Sequence, residues 1–346
     1  PMPNDVAIRM MPAVLSPDAG VQSVVVAADW PRLAETYQMR APMPVIDRLV
    51  DGGDTDGLDA VGAPAFGTLI GDPVEDAGPA RTWRARLLPE AKRRGTTALY
   101  AFCRVADDLV DDAADAVTAA TGLEALATAT EAALAGHTVD DPMLRAVVDT
   151  VRRFGVPADC LRDILAGVRM DLDRSRYDTL VELEGYCDRV ASAVGIAAVH
   201  IWGFTSAEAV DLAHDCGIAF QLTNILRDIP EDLARGRIYL PHEDLLACGC
   251  SEHDLAAGRI GPEFAGLAAL EISRAGARFA RAAQLDRVLS TDGRGVFRAM
   301  FGVYREMLGA VRRAGPDIFR SRVKASRPRL LVAAAATLCC GTRWRP

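Results

Sequence analysis

Asn224, Asp228 and Asp232 stand four residues apart in the stretch Gln221-Leu222-Thr223-Asn224-Ile225-Leu226-Arg227-Asp228-Ile229-Pro230-Glu231-Asp232. On an α-helix that spacing stacks three oxygen-bearing side chains along one face. Their neighbours Ile218, Ala219, Phe220, Leu222, Ile225 and Leu226 are apolar. The carboxylates therefore lie on an otherwise buried helix, where an unpaired charge is costly. Two kinds of partner answer that cost: an arginine such as Arg227 or Arg235, or a hard cation, which prefers carboxylate and amide oxygen.

A second acidic row follows the apolar run Tyr100-Ala101-Phe102-Cys103-Arg104-Val105-Ala106. In Asp107-Asp108-Leu109-Val110-Asp111-Asp112, Asp107 shares a helical face with Asp111, and Asp108 with Asp112. Like charges at this spacing destabilise a bare helix. One such row alone is ordinarily a solvated helix end. Two rows facing each other across a helical cavity would hold several Mg²⁺ ions, and Mg²⁺ bound by few carboxylates bridges to phosphates.

The elements that position these rows are helical. Half of the 346 residues are hydrophobic and a quarter charged, aromatics are few, and Ala, Leu and Val dominate, which favours helix over strand. No β alternation persists and no repeat at a fixed period occurs. The formal net charge of −8 argues against nucleic acid as a partner. No run of 18 apolar residues offers a transmembrane helix, and the apolar stretch 330–340 is too short to span. Residues 21–28 lack the charged-then-apolar pattern of a signal peptide. The eight cysteines form no CxxC pair and read as small buried residues of a reducing compartment. The five histidines form no HxxxH pair and read as structural. The expected location is cytoplasmic.

Residues 1–78, rich in Pro, Gly, Asp and Ala, read as a poorly ordered or irregular extension with a loop at 52–57 and a short helix near 30–38. From Pro79 the pattern turns helical. Leu87-Leu88-Pro89-Glu90 starts a helix that runs into the first acidic row, with Lys92, Arg93 and Arg94 on its outer face. Helices follow at 122–136, at 142–154 after Asp141 and before the breaker Gly155-Val156-Pro157, and at 158–172. Residues 171–182 superficially fit an EF-hand loop, but Arg176 occupies the position where glycine makes the sharp turn, so calcium is not expected. Residues 180–202 read as one long helix in which Gly195, costing roughly 1 kcal/mol against alanine, lets another group approach closely. Thr205 and Glu208 have capping-box spacing for the helix that carries the second row. Pro230 removes a hydrogen bond there and kinks the axis, moving Asp232 off the line of Asn224 and Asp228. After a basic turn at 233–241 and short helical pieces to 259, closing helices are expected at 262–289 and 295–309, with Phe301, Val303, Tyr304 and Met307 as a buried stripe. Lys324, Arg327 and Arg329 form a basic cluster, and 331–346 is a tail.

Three blocks resemble the squalene/phytoene synthase family, the head-to-head branch of the isoprenoid synthases. Ala98-Leu99-Tyr100-Ala101-Phe102-Cys103-Arg104-Val105-Ala106-Asp107-Asp108-Leu109-Val110-Asp111 is similar to its first signature. Tyr186-Cys187-Asp188-Arg189-Val190-Ala191-Ser192-Ala193-Val194-Gly195 resembles the middle one. Residues 221–241 resemble the second signature almost residue for residue. The resemblance spans roughly residues 85–330 and assigns 79–330 to a catalytic domain. It departs from the family at Ala80-Arg81, where a Ser-Phe pair is usual, and at Pro230.

The resemblance implies an all-α isoprenoid-synthase bundle around a central cavity, in which two prenyl diphosphates condense through a cyclopropylcarbinyl diphosphate. It implies Asp107, Asp111, Asn224, Asp228 and Asp232 as Mg²⁺ ligands, with Asp108 in support. Arg104, Arg227 and Arg237 would meet diphosphate, and Gln221, Tyr100 and Tyr304 would line the pocket. The favoured product is 15-cis-phytoene from geranylgeranyl diphosphate. The alternatives are squalene, dehydrosqualene or presqualene diphosphate from farnesyl diphosphate, with NADPH required only for squalene. A class I terpene cyclase and an inactive prenyl-lipid-binding homologue are more distant readings. A lipid product makes peripheral contact with a bilayer surface compatible with this reading; oligomeric state is left open.

Overall fold

The computed structural model describes residues 88–259, 261–319 and 323, and among them it is helical throughout, with two isolated bridges and no strand. The expectations for 1–78, Ala80, Arg81, the cluster at Lys324, Arg327 and Arg329, and 331–346 lie outside the described residues. The first helix, α1 (Glu90–Asp111), starts after extended Pro89 and buries Ala98, Leu99, Ala101, Phe102 and Ala106. Its basic residues are not all on an outer face, as the sequence suggests. Arg93 is buried, and Lys92 reaches Asp292 at 2.8 Å and the Trp202 carbonyl at 2.6 Å. Only Arg94 is exposed, beside Glu90. Partners 110 and 200 residues away decide this, and α1's own periodicity does not contain them.

Next come α2 (Ala116–Leu134), α3 (Pro142–Phe154) and α4 (Ala158–Asp173). The Asp141 carboxylate accepts from the Met143 and Leu144 amides to start α3, and left-handed Gly155 stops it. The expected long helix at 180–202 is continuous but has three parts: α5 (Leu180–Cys187), a π-helical turn (Asp188–Ser192) and α6 (Ala193–Trp202). The π turn widens the helix where neighbours press closest. A Cβ on Gly217 would sit 2.5 Å from Ser192 backbone, and one on Gly167 would sit 2.7 Å from Val190 Cγ1. Gly195 does admit a close neighbour, with the Ala213 carbonyl 3.0 Å from where its Cβ would be.

The second row is carried by α7 (Glu208–Arg227) and α8 (Ile229–Ala234). The expected capping box is absent: the Thr205 hydroxyl donates to the Val288 carbonyl instead, and the Glu208 amide meets Ser206 Oγ. The axis breaks at Asp228, and Pro230 falls in the first turn of α8, where no amide hydrogen is required. Short α9 (His242–Ala247) and α10 (Glu252–Ala256) follow. Then come α11 (Pro262–Ala282), α12 (Leu285–Val288), α13 (Arg294–Ala314) and a 3₁₀ turn at Gly315–Phe319. In the packing, α1 sits against α2, α3, α4 and α6, whereas α7 sits against α6, α11 and α13. The α5–α6 helix is thus a wall shared by both acidic helices. No described helix is long and apolar enough to cross a membrane.

Candidate active site

Both acidic rows end their helices. Asp107, Asp108 and Asp111 occupy the last turns of α1, and Asn224 and Asp228 the end of α7. A helix C-terminus carries partial negative charge, so each row adds carboxylates where the backbone already disfavours them. The two ends open on one cavity. Tyr100, Arg104, Asp107 and Asp111 line it from α1, and Gln221, Asn224, Asp228 and Asp232 from α7 and α8. Arg237 and Tyr304 line it too, so every residue singled out from the sequence is on its wall except Asp108 and Arg227. Those two lie just behind it. Asp108 receives the Arg104 guanidinium at 2.7 Å. Buried Arg227 donates two hydrogen bonds to the Asp228 carboxylate. Arg227 thus holds Asp228 in place.

Asp107, Asp111 and Asp232 have no arginine or lysine within ion-pair distance among the described residues. Burial, then the neighbouring Asp111, pushes Asp107 up to about 7. Burial, then Asp228, pushes Asp232 up to about 7. Asp108 rises less, to about 6, because Arg104 opposes its burial. Each row therefore has one acid neutralised by an arginine and others that repel.

Asp171 is not among the residues that spacing in the sequence singles out. It ends α4, lines the cavity and accepts hydrogen bonds from the Tyr239 hydroxyl at 2.8 Å and the Tyr186 hydroxyl at 3.2 Å. Burial raises its pKa, while the two phenols and Arg237 oppose the rise. Its field is felt by Asp107 on one side and Asp232 on the other, so it stands between the rows. Tyr177, Tyr186 and Tyr239 gather around it with ring centroids 5.2–5.9 Å apart. The signal was present: Ile164, Val168 and Asp171 follow the i, i+4, i+7 pattern of one buried face.

The donor set fits Mg²⁺. The Asn224 side-chain oxygen is buried with no hydrogen-bond partner, as a metal-ligating amide would be before its ion arrives. Carboxylate and amide oxygens are hard donors; among the described residues no histidine lines the cavity, and of the cysteines only Cys103 and Cys216 do. Among the described residues no three acidic, histidine or cysteine side chains converge on one point. An ion held here would complete its shell with phosphate or water, as Mg²⁺ does.

Inward from the rows the walls turn apolar: Ile164, Val168, Val190, Val194, Ala198, Val199, Phe220, Ile225, Phe297 and Met300. Phe220 stacks on Tyr304 with centroids 3.9 Å apart. A helical bundle with a charged mouth and a greasy interior is the architecture of the isoprenoid synthases. The comparisons agree and are more specific. The family described as Squalene/phytoene synthase matches residues 75–329. The chain is 38% identical over 248 residues to the 15-cis-phytoene synthase of Synechococcus elongatus, covering 68% of this chain and 80% of that one. It is 37% identical over 258 residues to that of Synechocystis, covering 71% and 76%. Among solved structures, a dehydrosqualene synthase in complex with ligand superposes with a TM-score of 0.68 at 30% identity, covering 75% of this chain and 90% of that one. Squalene synthase HpnC from Alicyclobacillus acidocaldarius gives 0.62 at 30%, covering 66% and 86%. The chain belongs to the squalene/phytoene synthase family, and with it to the prenyltransferases.

Proposed function

We propose that this enzyme condenses two molecules of geranylgeranyl diphosphate head to head into 15-cis-phytoene, in a reaction that depends on Mg²⁺. The observation that carries the reading is that both acidic rows open on one apolar cavity, where Asp107, Asp111 and Asp232 have no ion-pair partner among the described residues. The choice of phytoene over the C30 products follows the phytoene synthases it resembles. Mg²⁺, held by Asp107 and Asp111 on one side and Asn224, Asp228 and Asp232 on the other, would neutralise the charge that develops on departing diphosphate.

The chain's own residues do the rest. Arg104 and Arg237 present guanidinium groups at the mouth, where planar donors match phosphate oxygen. Arg227 fixes Asp228, and Arg104 is itself steadied by Asp108. The aromatic faces of Tyr100, Phe220 and Tyr304 line the cavity and favour an allylic cation over water. Attack by the second chain's double bond closes a cyclopropane with loss of one proton. Ionisation of that diphosphate, rearrangement and loss of a second proton give the new central double bond. No reductant enters; NADPH would be needed only for squalene. Asp171, steadied by Tyr186 and Tyr239, is a carboxylate placed to meet positive charge between the rows.

The test is incubation with labelled geranylgeranyl or farnesyl diphosphate and Mg²⁺, followed by hydrocarbon analysis. Phytoene from the C20 substrate is expected. No product from either substrate, or a cyclised product from a single substrate molecule, would overturn the reading.

A further inference from the structure

We propose that Trp202 is the floor of the prenyl-chain channel and fixes the longest chain that this enzyme accepts. The inference rests on the condensing activity proposed above and deepens it. Two helical paths run from mouth to floor. On α1, Thr96 lies eleven residues before Asp107, about 16 Å down the axis at 1.5 Å per residue. Along the α5–α6 helix, Trp202 lies sixteen residues beyond Tyr186, whose hydroxyl marks the mouth, or roughly 24 Å. The two descents meet: the Trp202 indole Nε1 donates to Thr96 Oγ1 at 3.2 Å. Trp202 lines the cavity there with Leu285, Phe297 and Met300.

A buried tryptophan is usually only core. What sets this one apart is that it lies on the cavity wall and is held at every attachment. Its carbonyl receives the Lys92 ammonium at 2.6 Å, and Lys92 is itself paired with Asp292. Gly293 packs so close that an added Cβ would stand 2.9 Å from both Trp202 Cβ and its carbonyl oxygen. Its ring nitrogen is bonded to α1. Met300, also on the cavity wall, is unbranched and can swing aside, whereas the indole is pinned. A rigid bulk at a closed end discriminates by length. An extended isoprene unit is about one helical turn long, roughly 5 Å, so removing an indole opens space on the scale of one unit.

The experiment is a competition among farnesyl, geranylgeranyl and geranylfarnesyl diphosphates with Mg²⁺, using the full chain, W202A and W202L. Products are separated by carbon number, and folding is followed by thermal melts. The C25-to-C20 ratio of kcat/KM should rise at least about tenfold in W202A, in line with the discrimination a hydrophobic pocket supplies. A smaller rise is expected in W202L, which leaves part of the depth filled. Thr96→Val, which frees the indole without removing it, should raise the ratio least. An unmoved ratio in an active variant overturns the proposal. So does equal loss of C15 and C20 turnover in a folded W202L, which would place Trp202 in catalysis instead. Where the tryptophan variants do not fold, Thr96→Val decides alone. A wild-type chain that turns over none of the three substrates refutes the condensing reading; an active wild type with an unmoved ratio refutes the floor only.

Discussion

Carboxylates occur in two settings here, inside and outside the cavity, and they are partnered differently. Outside the cavity Asp215, Asp286, Asp244 and Glu271 are met by arginine, and Asp141 by the backbone amides that it caps. Asp215 on α7, 2% exposed, takes Arg278 at 2.6 Å and Arg281 at 2.5 Å. Asp286 takes Arg298 through two bonds at 2.6 and 2.9 Å. Asp244 and Glu271 share Arg274. In the cavity, half-buried Asp107 and Asp232 and exposed Asp111 face other acids, and Asp107 and Asp232 are pushed up to about 7. At the mouth Arg104 and Arg227 meet only Asp108 and Asp228, and Asp107, Asp111 and Asp232 are left without an ion-pair partner among the described residues. The missing positive charge is thus left for something that arrives with the substrate.

The comparison can be broken first by exchanging one acid from each setting for its amide. Asp107→Asn should lower kcat by about a hundredfold or more, the scale of removing one group that stabilises developing charge. Its melting temperature should hold or rise, because a repulsion is relieved. Asp215→Asn should do the reverse. It leaves two arginines without their buried partner, costing about 3–5 kcal/mol by urea unfolding, while the activity of the molecules that remain folded is little changed. Equal loss of stability in both variants would erase the distinction.

A second effect is a pH dependence to which Asp107 and Asp232 at the mouth contribute together with buried Glu271 outside it, which burial also pushes up to about 7. A carboxyl raised by burial keeps a proton in the folded state that the unfolded chain releases above about 4. The stability it contributes is full below that pH and is lost as pH climbs through about 7. In EDTA the melting temperature should therefore fall by a few degrees between pH 5.5 and 8. Mg²⁺ with inorganic diphosphate should raise it more at pH 8 than at pH 5.5, because the ligands must shed protons to bind. A melting temperature in EDTA that rises over this range would contradict the assignment of repelling acids.

How far the sequence carries this picture depends on where each residue's partner lies. Asn224, Asp228, Asp107 and Asp111 announce themselves through spacing along their own helices, and they do share one cavity. Asp171 is as central, but Asp173 and Asp178 beside it suggest a calcium loop, and its meaning comes from Tyr186 and Tyr239, up to 68 residues distant. Lys92 and Thr205 depart from their local patterns for the same reason: their groups bond to Trp202, Asp292 and Val288 and not to neighbours in sequence. The π turn at 188–192 depends on Gly167 and Gly217, which no local pattern links to it.

That turn gives a third prediction, on the stability side. Gly217→Ala would drive a Cβ to 2.5 Å from Ser192 backbone, and overpacking of this kind costs about 1–3 kcal/mol. Urea unfolding would read it, and a neutral result would mean the two helices can part freely. The smallest expected effect is Tyr239→Phe. It removes one of the two phenols on Asp171, worth about 1 kcal/mol, and should lower kcat several-fold with KM nearly fixed in steady-state assays. An unchanged kcat would take Asp171 out of the reaction.

The most direct test is calorimetric titration of a non-ionisable geranylgeranyl diphosphate analogue, with and without Mg²⁺, into wild type, Asp107→Asn and Asp232→Asn. If the rows act together across one mouth, Mg²⁺ tightens binding to wild type at least about tenfold, and either single variant, from either row, abolishes that gain. If one row can be changed while the Mg²⁺-dependent gain survives intact, the two rows do not form one site.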